Sequence, residues 1–230
     1  MAINVVILAA GVGSRLGKPH PKPLTPIAGG STILERAVTH LSSRFNKHSI
    51  HLVVGFKKDM IMEAVPDVGF IYNPLYGDTN TSKSLLKALD VLGPGGVLWL
   101  NGDVVFDEAV LDQVLPLIAM DRSFVCVNTA SVAEEEVKYT LDDAGYIDQL
   151  SKVVGEGALG EAVGINYISA NDRPLLAKRL EEVGDQDYFE RGLELAIERD
   201  GLEIQAVDVS AHPVIEVDFL EDLERANRTF

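Results

Sequence analysis

Arg15, Lys18 and Lys22 follow closely on a Gly11-Val-Gly13 turn, which itself follows an apolar run, Val5 to Ala10. Small residues let a backbone turn sharply and bring its N–H groups up to an anion. Cations crowded beside such a turn neutralise phosphate oxygens. The pattern is a phosphate cradle at the end of a buried parallel strand. A second chemical group stands far along the chain, where Val97-Leu-Trp-Leu100 runs into Asn101-Gly-Asp103. A carboxylate leaving a buried strand there either caps a turn or holds a divalent cation; magnesium favours one or two carboxylates plus phosphate oxygens. A third group is the polar stretch from Asn73 to Ser82. Its amides Asn73 and Asn80 each offer a donor and an acceptor, which suits a pyrimidine edge and equally suits a turn or helix cap.

Two common phosphate cradles fail on spacing. The dinucleotide fingerprint needs a third glycine where Leu16 stands, and the P-loop needs a hydroxyl where Pro19 follows Lys18. Both also need a helix to start at once, and Pro19, Pro21 and Pro23 oppose that. The loop is therefore expected to run extended over its ligand. What remains, Leu8-Ala-Ala-Gly-Val-Gly-Ser-Arg15 followed by Pro21-Lys22, resembles the L-A-A-G-x-G-x-R and P-K signature of the sugar-phosphate and phospho-alcohol nucleotidyltransferases. A late segment, Val214-Ile-Glu-Val-Asp-Phe-Leu-Glu-Asp-Leu-Glu-Arg-Ala226, is similar to one found in the small phosphocholine-type cytidylyltransferases.

The resemblance implies roles for residues that match its motifs. Leu8, Ala9, Ala10, Gly11, Gly13 and Gly102 would surround the nucleotide, with Asn73, Asn80, Thr81 and Ser82 forming the base-binding turn. Arg15, Lys22 and Asp103 would form the catalytic set. Asp103 and Asp218 would hold Mg²⁺, with Glu216 a third candidate and an N-cap the alternative role for Asp218. Lys152, Glu161, Gly164, Tyr188 and Glu190 would meet the acceptor, Tyr188 and Glu190 through cation–π and Coulomb attraction to a cationic head group. The Asn- and Ser-rich turn matches the choline-type branch, whereas sugar-nucleotide members carry Gly-x-Ala there. The family's tryptophans beside Glu190 and Glu216 are missing, and the only one here, Trp99, lies in an apolar strand. The implied reaction is Mg²⁺-dependent transfer of CMP from CTP to phosphocholine, an aminoalkyl phosphonate or inositol phosphate, with release of pyrophosphate. The alternatives are a sugar-1-phosphate uridylyl- or thymidylyltransferase and a non-catalytic nucleotide-binding regulatory subunit.

Composition sets the bounds. The 230 residues carry a formal net charge of −15, which opposes a broad nucleic-acid or anionic-membrane surface but not a nucleotide held by local cations. A single cysteine, Cys126 in an apolar strand, excludes an intramolecular disulfide and a cysteine zinc site. The histidines show no metal-ligand spacing, and no stretch reaches the ~20 apolar residues of a membrane span. A cytoplasmic protein is the expectation.

The elements that must position these groups alternate between strand and helix. Strands are expected at Val5–Ala10, Ile50–Val54, Val68–Tyr72 and Val97–Leu100. Helices are expected after Ser31 or Thr32, around Lys57–Ala64, and at Ser82–Leu92 and Asp107–Met120, the last kinked or shortened by Pro116. Strands at Phe124–Ala130, Val137–Leu141, Tyr146–Val153 and Ala162–Ile168 follow, then helices at Arg173–Val183 and Tyr188–Arg199, a strand at Ile204–Val209 and a helix at Leu220–Asn227. This order gives an α/β fold, a mainly parallel mixed sheet with helices on both faces in three αβα layers; the resemblance makes it Rossmann-like and GT-A-type. One domain, 1–230, is expected, with a nucleotide half to about residue 120 and an acceptor half from about 121.

Overall fold

The structure, a computed structural model, describes residues 3–130, 136–154 and 157–230. In its first half the chain runs β1 (Ile3–Ala9), α1 (Ile33–Ser42), β2 (Ile50–Val54), α2 (Lys58–Ala64), β3 (Gly69–Tyr72), α3 (Thr81–Val91), β4 (Gly96–Asn101), β5 (Val104–Phe106) and α4 (Ala109–Ala119). It continues through β6 (Phe124–Asn128), β7 (Lys138–Leu141), β8 (Ile147–Ser151), β9 (Gly160–Ile168), α5 (Arg173–Glu182), α6 (Phe189–Asp200), β10 (Gln205–Asp208), β11 (Val214–Glu216) and α7 (Leu220–Thr229). One sheet runs in the order β10-β6-β9-β4-β1-β2-β3, with β7 and β8 attached beside β9. The pairs β1–β2, β1–β4, β2–β3 and β6–β10 are parallel, and β9 lies antiparallel to both β4 and β6. The sheet is continuous across the two halves of the chain.

The central strand shows why the fold has three layers. Successive strand side chains point to opposite faces. Val5, Ile7 and Ala9 pack with Leu34, Ala37 and Leu41 of α1, Ile61 of α2 and Val110 and Val114 of α4. Val6, Leu8 and Ala10 pack the other way, with Leu85 and Leu89 of α3, Leu176 and Leu180 of α5 and Leu193 of α6. Both faces are covered, which accounts for a continuous apolar run instead of an alternating one.

Helix ends are fixed by side chains. Thr32 caps α1 in a reciprocal box with Glu35, and Asn80 caps α3 through Oδ1. Helices α3 and α5 cap each other's C-termini. Lys83 Nζ donates to the carbonyls of Leu180 (2.9 Å) and Val183 (2.7 Å), while Arg173 donates to those of Leu92 (2.9 Å) and Gly93 (2.7 Å). Cations on the last free carbonyls of a helix also complement its dipole.

Element ends agree with the sequence expectation to within about two residues, the scatter normal for frayed ends. Helix α4 continues through Pro116. Two features differ. The segment between β1 and α1 is not extended: Ser14–Leu16 and Lys22–Leu24 form single 3₁₀ turns. Proline's fixed φ suits the first turn of a helix as well as an extended chain, and here Leu24 N–H bonds Pro21 O at 2.9 Å. The second is a small antiparallel sheet of β5 and β11, too short to leave a periodic signal. Among the described residues no helix is long and apolar enough to cross a membrane.

Candidate active site

A cavity of about 510 Å³ opens where β1 and β4 end, at the rim where ligands bind in open α/β sheets. Leu8, Ala9, Gly11, Gly13, Arg15, Lys22, Gly102 and Asp103 line one end of it. Gly13 has φ of +61°, and a Cβ there would lie 2.7 Å from Lys22 Cβ, so the glycine is what lets Lys22 fold over the turn. A Cβ on Gly102 would lie equally close to the Leu8 carbonyl oxygen, to which the Gly102 N–H donates at 2.9 Å.

The small sheet explains how Asp218 reaches Asp103. Glu216 pairs with Val104, and Val217 N–H donates to Asp103 O at 3.0 Å, so the two acids leave the sheet side by side. Lys22 Nζ bridges them, donating to Asp103 Oδ2 at 2.7 Å and to Asp218 Oδ1. Arg15 donates to the other oxygen of Asp218 at 3.0 Å. Burial works against the Lys22 charge, but Asp103 and Asp218 outweigh it and raise its pKa. Burial likewise opposes ionisation of Asp218, yet the Lys22 hydrogen bond and charge, with Arg15, hold that carboxyl below its ordinary value.

These acids fit a divalent cation. Asp103 Oδ1 is buried with no hydrogen-bond partner among the described residues, and Asp218 already faces the same positive centre. No group of three or more His, Cys, Asp or Glu is gathered for a metal among the described residues. Glu216 lines the same cavity as Asp103 and Asp218. Its carboxyl is buried beside Asn101, and burial together with Asp103 raises its pKa well above the ordinary range.

At the other end lie Lys152, Tyr188, Glu190 and Glu136. Burial pushes the Glu190 carboxyl up to about 7, and its Oε2 has no hydrogen-bond partner among the described residues. Glu136 is raised by burial and then by the charge of Glu161. The Lys152 ammonium sits 5.0 Å from the Tyr188 ring centroid. Between the two ends, Tyr76, Thr79, Asn80, Thr81 and Gln186 form the wall.

Five expected site residues lie off this cavity. Asn73 is buried: its Nδ2 donates to Thr79 and Ser84 hydroxyls and its Oδ1 accepts from Leu75 N–H, so it builds the turn and offers nothing to a base. Ser82 shares the sheet-facing side of α3 with Leu85 and Leu89, the spacing of one helical face. Ala10 packs in the core. Glu161 lies next to Ala162, which does line the cavity; adjacent strand residues face opposite ways. Gly164 has φ of +70°, and a Cβ there would collide with Glu216 Oε1; it makes room for that buried acid, not for a ligand. Sequence reasoning missed Glu136, hidden in a run of acids that resembles a solvated surface, and Gln186 and Thr79, which carry no motif.

The sheet order and the cavity at its strand ends place the chain in the nucleotidyltransferase class. More particularly, the chain belongs to the MobA-like NTP transferase domain family, whose model matches residues 5–192. It is 31% identical over 219 residues to the 2-aminoethylphosphonate cytidylyltransferase of Lancefieldella rimae, covering 92% of this chain and 84% of that one. It is also 38% identical over 121 residues to the CMP-5'-(3-aminopropyl)phosphonate synthase of Streptomyces rubellomurinus, a match spanning 49% of this chain but only 19% of that protein. Among solved structures, the CTP:phosphocholine cytidylyltransferase from Streptococcus pneumoniae shares the fold with a TM-score of 0.79 over 99% of each chain, at 17% identity.

Proposed function

We propose that the protein transfers CMP from CTP to a small aminoalkyl phosphonate or phosphate in a Mg²⁺-dependent reaction. A deprotonated acceptor oxygen attacks the α-phosphorus, the bond from that phosphorus to the bridging oxygen breaks, and pyrophosphate leaves with the electron pair. The acceptor oxygen is already an anion, so no general base is needed. Asp103 and Asp218 would hold the divalent cation, which when bound neutralises phosphate charge. Lys22 and Arg15, beside the Gly11–Gly13 turn, stabilise the charge that builds on the phosphates in such transfers. Asn80 in the cavity wall is the residue we assign to the base.

The observation that carries the acceptor reading is Glu190. A buried carboxylate with one oxygen left without a partner is costly unless a cation joins it. It faces the same cavity as the phosphate end, and Lys152 stands near enough to lower its pKa. An amine on Glu190, with the phosphonate within the field of Lys152, suits both groups. A primary ammonium suits this end better than a trimethylammonium. Lys152 already sits over the Tyr188 ring, and Trp99 is fully buried against Phe189, so neither ring is offered whole to a larger cation. Both relatives named above carry aminoalkylphosphonates in their names.

Pyrophosphate release tests the reading, with each nucleoside triphosphate plus Mg²⁺ against 2-aminoethylphosphonate, 3-aminopropylphosphonate, phosphocholine, inositol phosphate and hexose 1-phosphates. Turnover is expected with CTP and the primary amines first. Turnover confined to UTP or dTTP with a hexose phosphate would replace this reading, and saturable nucleotide binding with no turnover would end it.

A further inference from the structure

Helix α6 carries Glu190 in its first turn but has no cap of its own. Tyr188 holds the N-cap position, and its side chain makes no cap hydrogen bond. The first N–H of the helix, that of Phe189, donates instead to Thr81 Oγ1 at 3.1 Å. Thr81 is the first residue of α3, and its own N–H is held by Asn80 Oδ1 at 2.8 Å. The cap of the acceptor helix thus comes from the turn assigned to the nucleotide.

More bonds join the same two segments. Asn80 N–H donates to Asp185 O at 2.7 Å, Asn80 Nδ2 to Gln186 O at 3.2 Å, and Gln186 Nε2 returns to Asp78 O at 2.7 Å. Behind them Lys83 ties α3 to the end of α5, and the Phe189 ring sits edge-on to Trp99 at 5.5 Å. Shifting the 78–82 turn therefore shifts the start of α6, and with it Tyr188 and Glu190.

We propose that Thr81 is a positioning residue for the acceptor, and that through it the nucleotide and acceptor ends of the cavity bind cooperatively. A ligand that biases the position of the 78–82 turn biases the α6 cap with it, and by linkage the reverse holds. The expected partner of this coupling is the amine of the acceptor, so the inference rests on the function proposed above. Thr81 itself need touch neither substrate.

The test is an initial-rate grid in which CTP and 2-aminoethylphosphonate are varied together, for the wild type, Thr81→Val and Thr81→Ser. Valine keeps the shape and removes the acceptor atom; serine keeps it. Thr81→Val should raise the acceptor KM about fivefold, the loss of one helix cap, with a smaller change in the CTP KM. It should also abolish the dependence of acceptor KM on CTP concentration, and Thr81→Ser should restore both. An unchanged acceptor KM in Thr81→Val, or a rise confined to the CTP KM, overturns the proposal. Should the valine variant fail to fold, Gln186→Ala cuts the same junction from its exposed side. It should weaken the coupling in the same direction, and intact coupling there overturns the proposal too. A wild type inactive on every acceptor instead removes the functional reading beneath it.

Discussion

The two ends of the cavity handle charge in opposite ways. At the phosphate end, Lys22 sits between Asp103 and Asp218, and Arg15 closes the far side of Asp218, so the charges satisfy one another. At the acceptor end, Glu190 and Glu136 are raised by burial, and Glu190 keeps an unpartnered oxygen. A self-neutralised cluster stabilises the fold and must exchange partners when phosphates arrive. A buried acid with an unpartnered oxygen destabilises the fold and gains when a cation arrives. One end is built for exchange, and the other for capture.

Substitutions at the two ends should therefore separate in stability as well as rate. Asp103→Asn is the largest expected effect: a loss of turnover on the order of 10³ or more, since it strips charge from the phosphate-end acid pair. Circular dichroism should show an unchanged fold, and near-wild-type turnover would remove Asp103 from the site. Lys22→Met comes next, with turnover down by about 10²–10³, by analogy with losing one preorganised donor. It also leaves two acids facing each other, so stability should fall by about 1–3 kcal/mol in chemical denaturation at neutral pH. The sign follows from the shifts. Asp218 is held below its ordinary value, so its contribution is present above the unfolded carboxylate pKa and disappears as pH falls through the lowered one. Lys22 is raised, so its contribution is lost only in strong alkali. The gap between wild type and variant should accordingly close on acidification; a gap that persists at low pH would show that the cluster is not its source.

The phosphate end was largely legible in the sequence, because its groups are local. Gly11, Gly13, Arg15 and Lys22 are close in the chain, and Asp103 ends a run whose apolar character marks a buried strand. The three-layer fold was legible for the same reason, since each strand and helix announces itself by its own period. Asp218 needed a resemblance; its approach to Asp103 depends on β5 and β11, whose three-residue strands have no period to detect. The acceptor end was legible only in part. Glu136 is one acid in an acidic run, and nothing local says that it is buried. Asn73 shows the converse: the amide chemistry suits a base and suits a turn equally, and only the hydrogen bonds to Leu75, Thr79 and Ser84 decide.

Glu190→Gln sharpens the contrast from the capture end. The acceptor KM should rise about tenfold as a charged hydrogen bond becomes neutral, while the CTP KM moves little. In the wild type the same KM should fall as pH rises through about 7, where Glu190 ionises and begins to attract an ammonium. Stability should respond in the reverse sense to Lys22→Met. A folded carboxyl raised above its unfolded value keeps its proton longer than the unfolded chain does, so the wild type loses stability as pH climbs from the ordinary carboxylate range to about 7. Glutamine removes that cost. The variant should be more stable above pH 7 by about 2 kcal/mol, less than the full shift would give because part of the residue reaches solvent. A variant less stable than the wild type at pH 8 would mean that Glu190 is a structural acid with a partner, and the capture reading would fail.

The smallest effect belongs to Lys152, whose charge is felt at both ends. It helps lower the carboxyls of Asp218, Glu136 and Glu190, yet its side chain is exposed. An exposed cation acts through solvent and is screened within a Debye length of about 8 Å at physiological salt. Lys152→Met should therefore raise the acceptor KM only about threefold at low salt, within the range of an exposed ion pair. It should also move the pH at which acceptor binding improves upward, because Glu190 loses the cation that favours its charged form. Both changes should shrink in 0.5 M NaCl (about one further halving of the Debye length) if Lys152 acts by field alone. A KM defect that survives high salt would instead place its ammonium in direct contact with the acceptor's phosphonate, and would make the two ends of the cavity less unlike than their charges suggest.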